Sequence, residues 1–185
     1  LMPVLHRRAA AWHQANGTVD EAIGHASAAG DLAEAGTLIA RHWATHWLGG
    51  QRATVARWLE GLADAAILAD PPVALITAWS RGFGGASKQA TDRWLAAAED
   101  GSYGGPPPDG MSSQAFGAAL ARATLIFDDV GRSAAGARRA VELDPEHGNA
   151  HLILGEALNQ MAESDAAIEA LEEAVRLVPE NGMAF

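Results

Sequence analysis

Cysteine is absent from the 185 residues of this chain. The absence excludes a disulfide framework, a thiolate nucleophile and any zinc site built on cysteine. It agrees best with a reducing compartment, so we expect a cytoplasmic protein. Long apolar runs are also missing, because no stretch approaches the roughly 18 residues that a membrane-spanning helix needs. The first residues lack the charged-then-apolar layout of a secretion signal, and we expect no membrane partner.

Basic residues are few, with 13 Lys and Arg against 23 Asp and Glu and a formal net charge of −10. A negative surface repels phosphate backbones, so we expect no direct contact with nucleic acid. The imbalance is strongest from Asp144 onward, where nine acidic residues face Arg176 alone. This end would suit a basic partner, although a solvated acidic face is the simpler alternative.

An internal period of 34 residues is present instead. It aligns residues 140–145 (AVELDP) with residues 174–179 (AVRLVP), and Leu120 with Leu154. Self-similarity at this spacing is the sequence signature of helical repeat proteins. Each unit of such a protein is a helix hairpin that buries its apolar stripe only against its neighbours.

The last unit matches the tetratricopeptide pattern, in which small residues let the two helices of a hairpin approach closely. Gly155 and Ala167 are the small residues expected at that crossing, and Pro179 should end the second helix. The matching positions are His151, Leu154, Gly155, Leu158, Ala167, Leu171, Ala174 and Pro179. A degenerate copy one unit earlier falls on Gly117, Leu120, Ala121, Thr124, Ser133, Ala137, Ala140 and Pro145.

Capping and helix-breaking residues predict ten helices and no strand. Thr18 and Asp31 resemble the first residues of capping boxes, and Gly17 and Gly30 are expected to end the helices before them. Residues 100–111 are too rich in glycine and proline to be helical. The predicted fold is therefore all-α: a right-handed α-solenoid of about five antiparallel helix pairs, resembling a TPR superhelix.

Residues 179–185 have the register of a further repeat, with Phe185 where the first aromatic residue belongs. Solenoids normally end in a polar capping helix, and neither end of this chain offers one. We therefore expect a fragment of a longer protein, truncated at its C-terminus. Its uncapped ends would favour self-association.

The first half resembles a narrower family. The segments that carry the resemblance are residues 5–12 (LHRRAAAW), 21–31 (EAIGHASAAGD), 54–60 (TVARWLE) and 70–79 (DPPVALITAW). Together they resemble the helical sensor region of the MalT-like, LuxR-type ATP-dependent transcription regulators. The resemblance implies a parent protein with an NTPase domain, a repeat region that receives an inducer or a regulatory protein, and a DNA-binding domain. This chain has no GxxxxGK[ST] phosphate loop and no basic patch, so it would be the sensor region alone.

The resulting organisation has three parts. Residues 1–100 are MalT-like degenerate repeats, residues 100–111 are a Gly/Pro-rich loop, and residues 112–185 are TPR repeats that continue the same solenoid.

Four ring side chains on the third predicted helix are candidates for binding. Trp43 and Trp47 lie four residues apart and could stack on a sugar, an aromatic metabolite or a peptide, although core packing is the alternative. His42 and His46 have the same spacing. A zinc site needs three or four ligands, however, so we expect no metal and a packed or solvated helix face. The remaining tryptophans, at positions 12, 58, 79 and 94, are expected in the core.

A second candidate surface comes from the first helix of each repeat, which lines the concave side in tetratricopeptide proteins. The offsets place Asn149, Glu156, Asn159 and Gln160 on that face, and Arg122 on the preceding unit. Amides, a carboxylate and a guanidinium could bind a polar ligand or an extended peptide, with plain solvated polarity as the alternative.

No nucleophile elbow of the form GxSxG occurs, so we expect neither an enzyme nor a cofactor. The function expected is an effector- or partner-binding sensor domain of a LuxR/MalT-like regulator, with a small-molecule inducer or a regulatory protein or peptide as partner. A generic TPR scaffold that binds a peptide segment is the alternative.

Overall fold

The computed structural model describes residues 2–99, 103–125 and 129–177. Over those ranges it contains eleven α-helices and no strand, which confirms the all-α prediction. The chain divides into two compact units, Leu1–Gly110 and Met111–Phe185. No helix in the described part of the chain is both long and apolar enough to cross a membrane.

The first unit contains seven helices, and most of them pack against the next helix along the chain. Helices α1 and α2, α2 and α3, α3 and α4, and α6 and α7 are in contact, while α6 also packs against α3 and α4. The bounds are α1 Met2–Ala15, α2 Val19–Ala28, α3 Leu32–Leu48, α4 Arg52–Glu60, α5 Asp64–Ala69, α6 Pro71–Phe83 and α7 Lys88–Ala98. Neighbouring contacts of this kind are compatible with a helical repeat.

The second unit consists of two helix hairpins. Helix α8 packs on α9, α10 packs on α11, and α9 and α10 join the two hairpins. The bounds are α8 Gln114–Leu125, α9 Val130–Leu143, α10 Gly148–Gln160 and α11 Ser164–Leu177. The predicted terminal features Pro179 and Phe185 lie outside the described residues.

Side-chain caps explain where several helices begin. Asp31, Asp70 and Asp129 each accept a hydrogen bond from the backbone N–H three residues later, at 3.4, 3.2 and 3.0 Å. The predicted cap at Asp31 is thus confirmed. The one at Thr18 is wrong, because Thr18 makes no cap hydrogen bond and its hydroxyl donates to the carbonyl of His13 instead.

Small residues set the distance between paired helices. A Cβ added to Gly155 would lie 2.6 Å from Cγ of Leu171 and 3.2 Å from the carbonyl oxygen of Ala167, so the predicted close approach of α10 and α11 is confirmed. Helices α8 and α9 also approach closely, at Gly136 on the second helix of the pair. Its added Cβ would lie 2.8 Å from the backbone nitrogen of Ala123.

Two helix-level expectations need correction. The short helix α5, which packs against α6 and α7, was not among the ten predicted helices. Six residues are too few to display a helical period, which explains the omission. Trp12 is 60% exposed rather than in the core, whereas Trp58, Trp79 and Trp94 are buried as predicted.

Candidate functional site

An open groove of about 330 Å³ lies between α1 and α3 in the first unit. Helix α2 packs against both of these helices and contributes Ala26 to the lining. Further short side chains come from Ala10 and Ala11 on α1 and from Ala33 on α3. Ala10 and Ala26 are buried, so they form an apolar floor.

Polar side chains from the two helices form the walls of the groove. Arg7 and Gln14 lie two turns apart on α1, and Glu34 and Thr37 lie one turn apart on α3. Asp31, the N-cap residue of α3, completes the lining. Its volume lies at the lower end of the range of small-ligand sites, about 300–1,000 Å³, and its polar groups surround one apolar floor.

The charges in the groove are loosely paired. Nε of Arg7 lies 3.8 Å from Oδ2 of Asp31, which is too long for a hydrogen bond, and the two side chains are 60% and 38% exposed. Such surface pairs stabilise a protein by at most about 1 kcal/mol. Glu34 is half-buried and has no ion-pair partner among the described residues. The groove therefore contains one carboxylate that no basic side chain neutralises.

In the second unit, the predicted concave-face residues of α10 lie on one side of that helix. Glu156, Asn159 and Gln160 are exposed and Asn149 is half-buried. Their spacing of three, four and seven residues places them on neighbouring turns of one face. Leu152, 39% exposed, lies on the same face and was not predicted to take part. Arg122 is half-buried on α8, which contacts α10.

The two candidate tryptophans differ in how much surface they offer. Trp43 is 5% exposed, and its indole N–H donates to the carbonyl of Asp109 at 3.0 Å, which fits the core alternative. Trp47 is half-buried, with the guanidinium of Arg52 4.8 Å from its ring centroid. The ring of Phe83, which is 45% exposed, lies 6.1 Å from the ring of Trp47, measured between centroids. Any stacking ligand would therefore meet Trp47 and Phe83 rather than Trp43.

His42 and His46 do not share a ligand position. The ring of His46 packs against Trp58 at 4.6 Å between centroids, and its Nδ1 lies 2.9 Å from the carbonyl oxygen of His42. Burial, helped by the charge of Arg41, lowers the pKa of His42. The ring of His46 is thus occupied by contacts within the first unit, and the ring of His42 is half-buried.

Three other histidines form a column between α1 and α2 that sequence reasoning missed. His25 lies between His6 and His13, with ring centroids 5.1 and 5.2 Å away, and Nδ1 of His6 is 2.9 Å from Nδ1 of His25. The outer rings belong to residues seven apart on α1, so the three imidazoles do not converge on one point. Over the described residues, no group of three or more His, Asp or Glu side chains could hold a metal ion.

The groove between α1 and α3 was also missed from the sequence. The sequence signal available was the family-like segments at residues 5–12 and 21–31, which contain Arg7, Ala10, Ala11, Ala26 and Asp31. Nothing in the spacing says that α1 and α3 should face each other across α2.

Comparison with known proteins adds no relative. No protein-family model matches the chain, and no curated protein and no solved structure matches it.

Proposed function

We propose that this chain is a non-catalytic binding module, the effector- or partner-sensing region of a MalT-like, LuxR-type transcription regulator. The observation that carries the proposal is the open groove between α1 and α3, with its apolar floor and polar walls. Five of its nine lining residues fall within the segments at residues 5–12 and 21–31 that carry the family resemblance. Arrangement of the helix pairs as a right-handed solenoid is part of the same proposal.

Binding rather than catalysis is favoured by the chemistry of the groove. Its polar groups are one guanidinium, two carboxylates, one amide and one hydroxyl. The hydroxyl of Thr37 donates its proton to the carbonyl of Ala33 at 2.9 Å rather than to a base, so it is not activated as a nucleophile. Such groups bind and orient a ligand through charge and hydrogen bonds.

A peptide-binding scaffold is the second candidate, and a different observation favours it. Helix α10 exposes Glu156, Asn159 and Gln160 together with Leu152, which combines hydrogen-bonding groups with an apolar contact. A face of this composition suits an extended peptide. The two candidates involve different units of the chain and can be tested separately.

The test is a thermal-shift screen of the whole chain against sugars, nucleosides, amino acids and amines. A ligand at 100 times its dissociation constant should stabilise the protein by about 2.7 kcal/mol. The variant Ala11→Phe, which fills the groove from an exposed position, should abolish the shift. Ala53→Phe makes the same change at an exposed position of α4 outside the groove and should leave it intact.

A hit that survives Ala11→Phe would count against the groove. A hit or a captured peptide that is lost in Asn159→Ala with Gln160→Ala would instead support the scaffold. Backbone amide NMR of this 19.2 kDa chain would locate either ligand directly.

A further inference from the structure

Three side chains that line the α1/α3 groove have hydrogen-bond acceptors left over: Glu34, Thr37 and Gln14. Thr37 uses its hydroxyl proton on the carbonyl of Ala33, so only its lone pairs face a ligand. Glu34 is acceptor-only when ionised, and its side chain has no hydrogen-bond or ion-pair partner among the described residues. Gln14 adds a carbonyl oxygen beside the two N–H donors of its amide. A ligand that satisfies these three acceptors must carry several donors.

The charge balance of the groove points the same way. Arg7 is the one basic side chain in the lining, against the two carboxylates of Asp31 and Glu34, which leaves a net charge of −1. Arg7 lies nearer to Asp31, at 3.8 Å, and Glu34 is the carboxylate left over. An anionic ligand would have to approach Arg7 past both carboxylates, whereas a cation is attracted by the net charge.

The floor of the groove suits an apolar part of the ligand. Ala10, Ala11, Ala26 and Ala33 offer methyl groups and no hydrogen-bonding side chain. An aliphatic stem can lie along such a floor while its charged head reaches the polar wall, as lysine side chains do on protein surfaces.

We propose that the α1/α3 groove binds a primary ammonium group carried on an aliphatic chain, with Glu34 as its counter-ion and Thr37 and Gln14 as hydrogen-bond acceptors. An ammonium supplies three donors, one for each of the acceptors on Glu34, Thr37 and Gln14. The inference rests on the proposed function and names its ligand class. The same chemistry occurs in a free alkylamine and in the lysine side chain of a peptide.

The experiment is an NMR titration of the whole chain with n-pentylammonium, with n-pentanoate as an anion of similar shape. The ammonium should shift the backbone amides of Glu34 and Thr37, with a dissociation constant on the order of 1 mM for so small a probe. Pentanoate should leave them unmoved. Equal shifts with both probes, or none with the ammonium, would overturn the inference.

Two variants should move the affinity in opposite directions. Glu34→Gln removes the counter-ion and should weaken n-pentylammonium about tenfold, which corresponds to 1.4 kcal/mol. Arg7→Gln removes the competing cation and should increase the affinity for n-pentylammonium about two- to fivefold. Glu60→Gln, an exposed carboxylate at the end of α4, is the matched control and should change nothing. Unchanged binding in Glu34→Gln would refute the assignment of the counter-ion.

The source of the ammonium follows from a third probe, Nα-acetyl-lysine methylamide. Affinity equal to that of n-pentylammonium would identify a lysine side chain as an acceptable ligand, and an affinity at least about tenfold weaker would favour a free amine. Both outcomes support the shared chemistry. If n-pentylammonium fails while a hit from the thermal-shift screen maps to the groove, the ammonium inference is wrong and the proposed binding function remains.

Discussion

The close contact between α8 and α9 at Gly136 gives the sharpest prediction about packing. A Cβ at this position would lie 2.8 Å from the backbone nitrogen of Ala123, 3.1 Å from the carbonyl oxygen of Ala119 and 3.2 Å from Cα of Ala123. All three atoms belong to the backbone of α8, so no side chain can rotate away. Gly136→Ala must therefore push the two helices apart.

The magnitude follows from comparison with a glycine that has space around it. Overpacking of this kind costs about 1–3 kcal/mol, while replacing glycine by alanine inside a helix gains about 1 kcal/mol. Gly24 lies in the middle of α2 with no atom within 4 Å of an added Cβ. Gly24→Ala should therefore raise the free energy of unfolding, and the difference between the two variants isolates the overpacking cost of about 1–3 kcal/mol.

Urea unfolding followed by far-UV circular dichroism measures both variants. The six tryptophans all lie in the first unit, so tryptophan fluorescence follows that unit, and the effect of Gly136→Ala must be sought in the dichroism signal. If Gly136→Ala stabilises the protein as much as Gly24→Ala does, α8 and α9 do not approach as closely as described, and the reasoning is refuted.

Three further predictions concern hydrogen bonds and pH. Trp43→Phe keeps an aromatic ring but loses the N–H that donates to the carbonyl of Asp109. The free energy of unfolding, measured with urea and fluorescence, should fall by about 1 kcal/mol, and an unchanged value would contradict the hydrogen bond. Hydrogen bonds from Arg57 and Trp58 lower the pKa of Asp20. The ionised Asp20 therefore stabilises the protein at pH values above 3.8, its ordinary pKa, and this stabilisation is lost as the pH falls through the lowered pKa. Asp20→Asn should destabilise the protein by less than about 1 kcal/mol near neutral pH, and by progressively less as the pH falls below 3.8 and through the lowered pKa. Burial lowers the pKa of His147 from 6.5, against the opposing charge of Asp144. The unfolded chain then binds more protons than the folded one just below pH 6.5, so the stability of the protein should fall as the pH drops through that value. His147→Gln should reduce this dependence of stability on pH, measured by thermal unfolding followed by dichroism. An unchanged pH dependence would contradict the lowered pKa of His147.

Helix positions and the small-residue contacts of the last repeat could be predicted from the sequence because both have local causes. Proline, glycine and capping side chains act within one turn, so the helix starts predicted after Gly17 and Gly30 coincide with those of α2 and α3. The 34-residue period located Gly155 at a helix crossing because repeats reuse the same contact. In the preceding pair the close approach occurs at Gly136, which lies on the second helix of the pair rather than on the first. The aligned copy placed the equivalents of Gly155 and Ala167 at Ala121 and Ser133, so Gly136, which aligns with Ala170, was not predicted.

The groove could not be predicted in this way, since its walls come from residues far apart in the chain. Arg7 and Glu34 belong to helices that α2 separates, and only the packing of α2 against both brings them to one concavity. The exposure of Trp12 could not be predicted either, because it depends on which side of α1 its neighbours cover. Its helical spacing fitted a core position, yet it lies on the side of α1 that no described helix covers.

Packing and binding therefore depend on separate residues in the first unit. Its helix contacts involve buried alanines and large apolar side chains, whereas the polar walls of the groove are exposed or half-buried and make few contacts within the chain. Surface substitutions away from special features change stability by about 0.5 kcal/mol or less. Glu34→Gln should accordingly weaken ammonium binding about tenfold while lowering the free energy of unfolding by less than about 1 kcal/mol, since Glu34 lies in the first turn of α3. Gly24→Ala should move the unfolding midpoint without changing the affinity. A variant set in which both quantities changed together would mean that the groove is part of the structural core, and ligand binding would then have to be explained as a change in folding stability.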